Sequence, residues 1–457
     1  MFKKKFTTYA VMKTGGAVVA AIALSACGSS SNNDEHSNTH IDTAGRLAVY
    51  DTEAQALKVI DLEGGEVLDS FTLNGTSAPR LYTLPGDRYV AAIQRDDNLV
   101  TFVDSGLYTE DHGDHLHDYE EDPSLLSFTL TNVKPTHFEA GEDSAIIFND
   151  GSDESVSNVS VISASSIADG DTLFELNREN NMHGAAKLID DHLFVTYRDV
   201  SITDTTLPAE VERYSIDDGV PSFEERYDAQ CPLLHGAGYN HETLIFGCSD
   251  GILAIDLQDE NFSASKFGSP EGIAEGSRIG SVYAHHDVEA LITKAGTQLF
   301  ATVVEDGVVT YHELMLDAEV TSLSQDFTPN GEFFWVLGDN EKLYLWEVES
   351  GWDQASSISI SSFELGSVSV AQSTASHLMY VLDEDNQKII PFDYEDGALG
   401  EIIDLGFAPS KIAWMGLPEH DHDHDHDEDH DEDHDEGHDE DHDEDHDEEE
   451  HDHDHEV

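Results

Sequence analysis

The sequence predicts an all-β protein whose central part, residues 43–417, is a β-propeller of eight blades, with seven blades as the alternative. Short β-rich runs of about four to seven residues recur throughout this part, with Gly, Asp and Asn turns between them. Helical periodicity is nearly absent there. The runs also form similar units that repeat at the spacing of propeller blades.

Each repeated unit opens with a small strand and continues with strongly apolar strands. The openings are PRLYTL from Pro79, PTHFEA from Pro135, MHGAAKL from Met182, PLLHGAGY from Pro232, GSVYAHHD from Gly280, VTSLSQDF from Val320, GSVSVAQS from Gly366 and PSKIAWMG from Pro409. The last opening has no strands after it to complete a blade, and the first unit, GRLAVYD, lacks an opening strand. Joining these two closes the ring without a free sheet edge.

The N-terminus indicates export. A lysine-rich start precedes the apolar run AVVAAIAL, which ends in LSAC. We interpret residues 1–26 as a lipoprotein signal peptide, Cys27 as the lipidation site and residues 27–42 as a flexible tether. The mature protein is then periplasmic and lipid-anchored to a membrane. The residue after the cysteine is not Asp, which favours the outer membrane. An ordinary signal peptide is the alternative.

Two further cysteines, Cys231 and Cys248, lie in the central part. In an exported protein an isolated pair most simply forms a disulfide, and a Cys/His metal site is the alternative.

The charge of the chain is strongly negative, with 21 basic and 96 acidic residues and a net charge of −75. Such a surface repels nucleic acid and anionic lipid and attracts cations. Adaptation to a salty habitat would produce the same composition.

Four consecutive openings carry histidine at nearly the same place, and in a propeller these strands line the central channel. The histidines are His137, His183, His235 and the pair His285–His286, while the other openings show Arg80, Ser322, Ser369 and Lys411. Convergent imidazoles suit tetrahedral Zn²⁺, so we predict a zinc site in one half of the ring. Either member of the pair faces inward, and Asp287 is placed to accept from a ligand's second nitrogen. Purely structural histidines are the alternative.

The segment EDHGDHLHDYEEDP, residues 110–123, joins two predicted strands and holds three histidines and seven acidic residues. A turn needs no histidine for backbone reasons. We therefore predict a metal-gathering loop, acting as ligand or as lid over the channel mouth, through His112, Asp114, His115 and His117. A solvated acidic loop is the alternative.

The C-terminal segment, residues 418–457, is low in complexity and is predicted to be disordered. From Glu419 onward it holds 25 acidic residues, 12 histidines and no Lys or Arg. Alternating His and Asp offer weak, exchangeable sites for Zn²⁺, Ni²⁺ or Cu²⁺. A solubilising polyanion is the alternative. The histidines are His420, His422, His424, His426, His430, His434, His438, His442, His446, His451, His453 and His455.

Taken together, DHGDHLH, KPTHFEAGEDSAIIFNDG, HGAAKL, CPLLHGAG, FGCSDG and YAHHD resemble the AztD-type periplasmic zinc metallochaperones, which are β-propellers associated with a zinc ABC importer. The resemblance covers roughly residues 45–417. It implies zinc binding and direct transfer to the importer's solute-binding protein, with His112, His115, His117, His137, His183, His235 and His286 as candidate ligands. The lipoprotein signal and the long tail depart from the family pattern.

From these features we expect a monomeric zinc metallochaperone with Zn²⁺ as its bound metal, and neither an enzyme nor a nucleic-acid binder. Two other classes stay open. One is a metal-dependent propeller hydrolase or lactonase, for which Glu139 or Asp287 would be the base. The other is a protein-interaction propeller with a histidine-rich tail.

Overall fold

The computed structural model describes residues 40–113, 115–352, 355–360 and 368–418. The predicted signal peptide, Cys27, most of the tether, Asp114 and the tail from Glu419 lie outside the described residues. Among those described, no helix is long and apolar enough to cross a bilayer.

The described chain is built almost entirely from short strands. In the first half they are β1 (Arg46–Asp51), β2 (Ala56–Asp61), β3 (Val67–Thr72), β4 (Arg80–Thr83), β5 (Tyr89–Gln94), β6 (Leu99–Asp104), β7 (Leu107–Asp111), β8 (Leu116–Glu120), β9 (Ser124–Leu130), β10 (Pro135–Ala140), β11 (Ala145–Asn149), β12 (Asn158–Ile162), β13 (Phe174–Asn177), β14 (Ala186–Ile189), β15 (His192–Tyr197), β16 (Glu210–Asp217) and β17 (Val220–Arg226). In the second half they are β18 (Ala237–Tyr239), β19 (Thr243–Cys248), β20 (Gly251–Asp256), β21 (Ala264–Gly268), β22 (Ile279–Tyr283), β23 (Leu291–Ala295), β24 (Gln298–Glu305), β25 (Val308–Leu314), β26 (Ser322–Phe327), β27 (Phe333–Gly338), β28 (Lys342–Glu347), β29 (Ser356–Ser359), β30 (Val368–Gln372), β31 (Leu378–Asp383), β32 (Lys388–Asp393), β33 (Ala398–Leu399), β34 (Ile403–Asp404) and β35 (Pro409–Met415).

Within the described residues these strands form eight antiparallel blades, which confirms the predicted propeller and its blade number. Blade 1 is β35-β1-β2-β3 from the channel outward, so the last strand of the ring lies inside the first blade. Blade 2 is β4-β5-β6-β9, and blades 3 to 7 follow as consecutive groups of four from β10 to β29. Blade 8 is β30-β31-β32-β33, with β34 beside β32. The predicted ring closure is also confirmed, because β1 pairs with β35 from Arg46↔Met415 to Asp51↔Pro409.

Apolar side chains between neighbouring blades hold the ring together. The second strand of a blade is often wholly buried, as in β1 and β5, while the outermost strand β3 is mostly exposed. One buried cluster packs Tyr50 of blade 1 against Val90 of blade 2, and another packs Phe102 of blade 2 against Ile147 of blade 3. Burial of large apolar side chains between sheets is the main stabilising contribution.

The inner strands all run in the same direction, which gives the ring two distinct faces. Thr83 at the end of β4 donates to the carbonyl of Trp414 near the end of β35. His235, just before β18, contacts Gly280 at the start of β22. We call the face where inner strands begin the start face, and the opposite one the end face.

Two features lie outside the blade strands. The one α-helix of the described residues, α1 (Ala164–Asp169), follows β12 and is capped at Ser163. Strands β7 and β8 pair with each other as a separate hairpin inserted between β6 and β9.

Candidate metal centre

Three of the predicted channel histidines meet at the start face. We call His137, His183 and His235 the histidine trio. His137 lies on β10, and the other two lie just before β14 and β18, so three consecutive blades contribute one imidazole each. The Nε2 of His183 lies 3.2 Å from the Nε2 of His137 and 3.1 Å from that of His235. All three side chains are half-buried.

Hydrogen bonds at Nδ1 determine which nitrogens of the trio carry lone pairs. The Nδ1 of His235 lies 2.7 Å from the carbonyl oxygen of Gly280, which only accepts, so this Nδ1 carries the hydrogen. The Nδ1 of His183 lies 3.0 Å from an Asp150 carboxylate oxygen and donates likewise. When both imidazoles are neutral, both Nε2 atoms are bare acceptors that face each other. Two lone pairs at 3.1 Å repel unless a cation lies between them.

The carboxylate that orients His183 is itself held in place by an arginine from the neighbouring blade. Arg95 donates from Nη2 to Asp150 over 2.9 Å and from Nε to the hydroxyl of Thr136 over 2.9 Å. Thr136 precedes His137 on β10. Arg95 therefore holds both the carboxylate bound to His183 and the residue next to His137. A carboxylate that accepts from a ligand's second nitrogen is the usual support of a metal-bound imidazole.

The electrostatics favour the neutral imidazole at two members of the trio, His137 and His235. Burial, and then the neighbouring His183 and His235, lower the pKa of His137 to about 3. Burial also lowers the pKa of His235, against the opposing effect of its bond to a carbonyl. For Asp150 burial alone would raise the pKa, but hydrogen bonds from His183 and Arg95 bring it below its usual value. Metal ions bind neutral imidazole, and this site supplies it.

The backbone around His235 is fixed from two sides. Gly236 has a φ of +78°. A Cβ there would lie 2.8 Å from the carbonyl oxygen of Gly280, the same oxygen that accepts the hydrogen bond from His235. Only glycine allows this approach. Cys231 and Cys248 are joined by a disulfide, which connects the segment before β18 to the end of β19.

Arginines flank the trio on both sides. Arg80 begins β4 in blade 2 and is exposed, and its charge contributes to the lowered pKa of His137. Arg278 precedes β22 in blade 6 and donates to the carbonyl of Leu233 over 3.2 Å. Its charge contributes to the lowered pKa of His235. In a chain of net charge −75, the surroundings of this site are therefore unusually cationic.

The predicted metal-gathering loop is the β7–β8 hairpin, and it lies on the end face. Strand β6 ends at Asp104 on this face, where Arg88 from the β4–β5 turn binds it over 2.8 Å. Arg46, opposite the last residue of β35, binds Glu120 of the hairpin over 3.0 Å. The hairpin is therefore not placed over the trio, which lies at the other end of the channel.

The hairpin nevertheless brings its three histidines together. The ring centroids of His112, His115 and His117 lie 4.6 to 5.4 Å apart. His112 Nε2 also lies 3.7 Å from a carboxylate oxygen of Glu110. Asp114, which the sequence groups with them, lies outside the described residues.

The structure groups His285 and His286 with Asp287 instead of with the trio. They follow β22, where the inner strand of blade 6 has reached the end face. His285 Nε2 donates to the carbonyl oxygen of Pro329 over 2.8 Å, and His286 Nε2 lies 2.8 Å from Asp287. The alignment of openings had put this pair in register with the trio, but the histidines stand after the strand and not before or within it.

Sequence reasoning missed Asp150 and Arg95, which support the trio, and His241, which lies 3.5 Å from Asp287. Asp150 and Arg95 stand directly after second strands of their blades, at the start face. In a propeller of known strand order that position would have indicated both residues. His241 stands in the β18–β19 turn, and nothing in its local sequence distinguishes it.

No family model matches the chain. The zinc chaperone AztD of Citrobacter koseri is 27% identical over 217 residues, which are 47% of this chain and 48% of that protein. The alignment thus spans about half the length of this curated relative.

Among solved structures, apo AztD from Citrobacter koseri superposes with a TM-score of 0.67 at 20% identity, over 83% of this chain and all of the other. A second crystal structure of Citrobacter koseri AztD gives the same TM-score at 22% identity and the same coverage. The dihydro-heme d1 dehydrogenase NirN follows with 0.54 at 11% identity, over 83% of this chain and 77% of that chain. At these identities the structural likenesses establish the shared fold.

The fold and the site together define an eight-bladed propeller with a three-histidine centre at one channel mouth. Within that class, this chain is similar in both sequence and fold to the zinc chaperone AztD of Citrobacter koseri.

Proposed function

We propose that this protein is a zinc metallochaperone that binds Zn²⁺ at His137, His183 and His235 and passes it to an acceptor protein. The observation that carries the proposal is the convergence of three imidazole nitrogens, with the Nδ1 atoms of His183 and His235 held by an acceptor so that Nε2 is left for a metal. Zinc–nitrogen bonds of about 2.0–2.1 Å in a tetrahedron place ligand nitrogens roughly 3.3–3.4 Å apart. The distances of 3.1 and 3.2 Å need only a small adjustment to reach that value.

Three ligands leave a fourth position open, which suits a protein that releases its metal. An incoming side chain of an acceptor enters that position without first displacing a protein ligand. The proposed acceptor is the solute-binding protein of a zinc ABC importer, in line with the named function of the relative. The proposed location is the periplasm, with Cys27 as the lipid anchor.

The hydrolase alternative loses its candidate bases in this structure. Glu139 forms an ion pair with Lys187, and Asp287 lies on the end face beside His286. Asp150, the carboxylate nearest to the trio, is occupied by His183 and Arg95. A hydrolytic zinc site needs a general base that is available to activate water.

The test is zinc retention followed by transfer. We expect the chain ending at Pro418 to keep about one zinc after dialysis against a mild chelator, and the full chain to bind more through its tail. The rate of zinc transfer to the candidate solute-binding protein should exceed the rate of spontaneous zinc release. The release rate is measured with an equal concentration of a small chelator as the acceptor. A chain ending at Pro418 that retains no zinc would refute the proposal. If the protein retains zinc but does not accelerate transfer, it stores zinc and is not a chaperone.

A further inference from the structure

A second group of metal-ligating side chains converges on the end face, between blades 5 and 6. His241 comes from the β18–β19 turn, and His286 and Asp287 follow β22. The Nε2 of His286 lies 2.8 Å from one Asp287 oxygen, and the Nε2 of His241 lies 3.5 Å from the other. The side chains are 68%, 64% and 62% exposed for His241, His286 and Asp287. The group therefore faces solvent directly.

The backbone that carries these residues is tied across the two blades. Asn240, only 3% exposed, donates from Nδ2 to the carbonyl oxygens of Val288 and Glu289 over 3.0 and 2.7 Å. Its side-chain oxygen accepts from the backbone N–H of Thr243 over 2.9 Å. The turn of His241 is thus fixed against the loop of Asp287 by a buried side chain.

A third blade orients His286. His285 donates from Nε2 to the carbonyl oxygen of Pro329, in the β26–β27 turn of blade 7. Its Nδ1 accepts from the backbone N–H of Asp287 over 3.3 Å. Both nitrogens of His285 are therefore engaged, and its ring stacks on His286 with centroids 4.6 Å apart. His285 serves as a support and not as a ligand.

We propose that His241, His286 and Asp287 form a second divalent-metal site, separate from the histidine trio. Two imidazole nitrogens and a carboxylate oxygen are ligands for Zn²⁺ and also for Co²⁺, Ni²⁺ and Cu²⁺. A ligand nitrogen and oxygen bound to one ion at about 2.0–2.2 Å lie roughly 2.8–3.5 Å apart, depending on the angle at the metal. The two measured separations fall in that range but run to different oxygens of Asp287, so the proposed ion lies against both oxygens of this carboxylate.

The exposure of this site distinguishes it from the trio. Water fills the remaining coordination positions, so metal binds more weakly and exchanges faster than at a half-buried centre. The proposal does not depend on the function proposed for the trio, because no residue is shared.

Histidine C2 hydrogen–deuterium exchange, read by mass spectrometry, tests the site in the full chain. The method follows each histidine separately, so the tail histidines do not interfere. With Zn²⁺ as the only addition, exchange at His241 and His286 should slow at least threefold. The matched control is His377, whose side chain is 42% exposed and lies 2.6 Å from the Glu395 carboxylate, and its exchange should not change.

The variant Asp287→Asn sharpens the result. It should remove the slowing at His241 and His286 while leaving the slowing at the trio. Unchanged exchange at His241 and His286 at saturating Zn²⁺ would overturn the proposal, and so would equal slowing at His377. Slowing that persists in Asp287→Asn would exclude the carboxylate as a ligand and overturn the three-residue site. Absence of slowing at the trio would instead count against the proposed function.

Discussion

The two mouths of the channel both present histidines, but these differ in burial and in the hydrogen bonds that hold their imidazoles. At the start face, the trio is half-buried, and Asp150 and Gly280 fix the imidazoles of His183 and His235. At the end face, His241 and His286 are largely exposed. The hairpin histidine His112 on that face is 41% exposed.

This difference shows what turns a histidine cluster into a tight metal site. Burial lowers the pKa of His137 and His235, so protons compete weakly for their nitrogens. Fixed hydrogen bonds at Nδ1 place lone pairs before any metal arrives, which removes an ordering cost. His241 and His286 on the end face lack that burial, which favours rapid metal exchange there.

The largest expected effect comes from removing two ligands of the trio. His137→Ala combined with His183→Ala should weaken the tightest zinc site by more than about a thousandfold, because a lost ligand costs more than the roughly 10- to 100-fold of a lost supporting bond. Chelator competition measures this. The free energy of unfolding of the metal-free protein should change by about 1 kcal/mol or less. The control is His377→Ala, and an unchanged tight site in the double variant would contradict the assignment.

A smaller effect is expected from Asp150→Asn, which keeps the shape but removes the charge that orients His183. Zinc affinity should fall by about 10- to 100-fold. Asp104→Asn is the matched control, because Asp104 is 8% exposed against 6% for Asp150 and is also bound by an arginine, but on the opposite face. Equal losses in both variants would point to general destabilisation.

The pH dependence should separate the two faces further. A ligand histidine with a pKa of about 6.5 costs roughly thirtyfold in affinity at pH 5, and three such ligands about 10⁴-fold. With the lowered pKa of His137 and His235, the trio should lose less than about a hundredfold between pH 7 and pH 5. Chelator competition at each pH gives the result, and a loss near 10⁴-fold would show that the lowered pKa values are absent.

The same pKa shifts also set the direction of acid destabilisation. Without metal, the unfolded chain takes up protons at these histidines near pH 6.5, whereas folded His137 does so only near pH 3. The free energy of unfolding of the metal-free protein should therefore fall as the pH drops from about 6.5 towards 3. Chemical denaturation at several pH values measures this, and zinc should make the slope steeper, because zinc-bound imidazoles take up no protons.

The smallest effect on the tight site is expected from the hairpin. Replacing His112, His115 and His117 by Ala should change the affinity of the trio by less than about threefold, because the hairpin lies on the other face. The initial rate of zinc uptake from dilute solution should fall instead. A large loss of affinity would mean that the hairpin reaches the trio.

Much of the fold was predictable because propeller repeats leave a regular trace. Apolar second and third strands alternate with turns, and the unpaired first unit and last strand together indicate a closed ring. The eight openings correspond to the eight inner strands, from β4 to β35. The hairpin of residues 107–120 was not foreseen, because a charged insertion with few apolar residues resembles a loop.

The candidate site was predictable only in part. Register along the inner strands brings His137, His183 and His235 together, since equivalent positions in successive blades share one level of the channel. The same reasoning cannot tell whether a histidine precedes or follows its strand, and this separates His286 from the trio. The side chains that support the trio, such as Asp150, follow second strands of their blades. Predicting them requires knowing which strand ends lie at the same face of the ring.

The closing strand β35 also imposes an order of events on the molecule. The inner strand of blade 1 is the last strand of the described residues, so the ring stays open until synthesis has passed Met415. Blades 3 to 5, which carry the trio, are finished by Gly268, well before that moment. The strands that carry the trio therefore precede ring closure in the chain, whereas the Gly280 carbonyl that holds His235 comes from the blade that follows them.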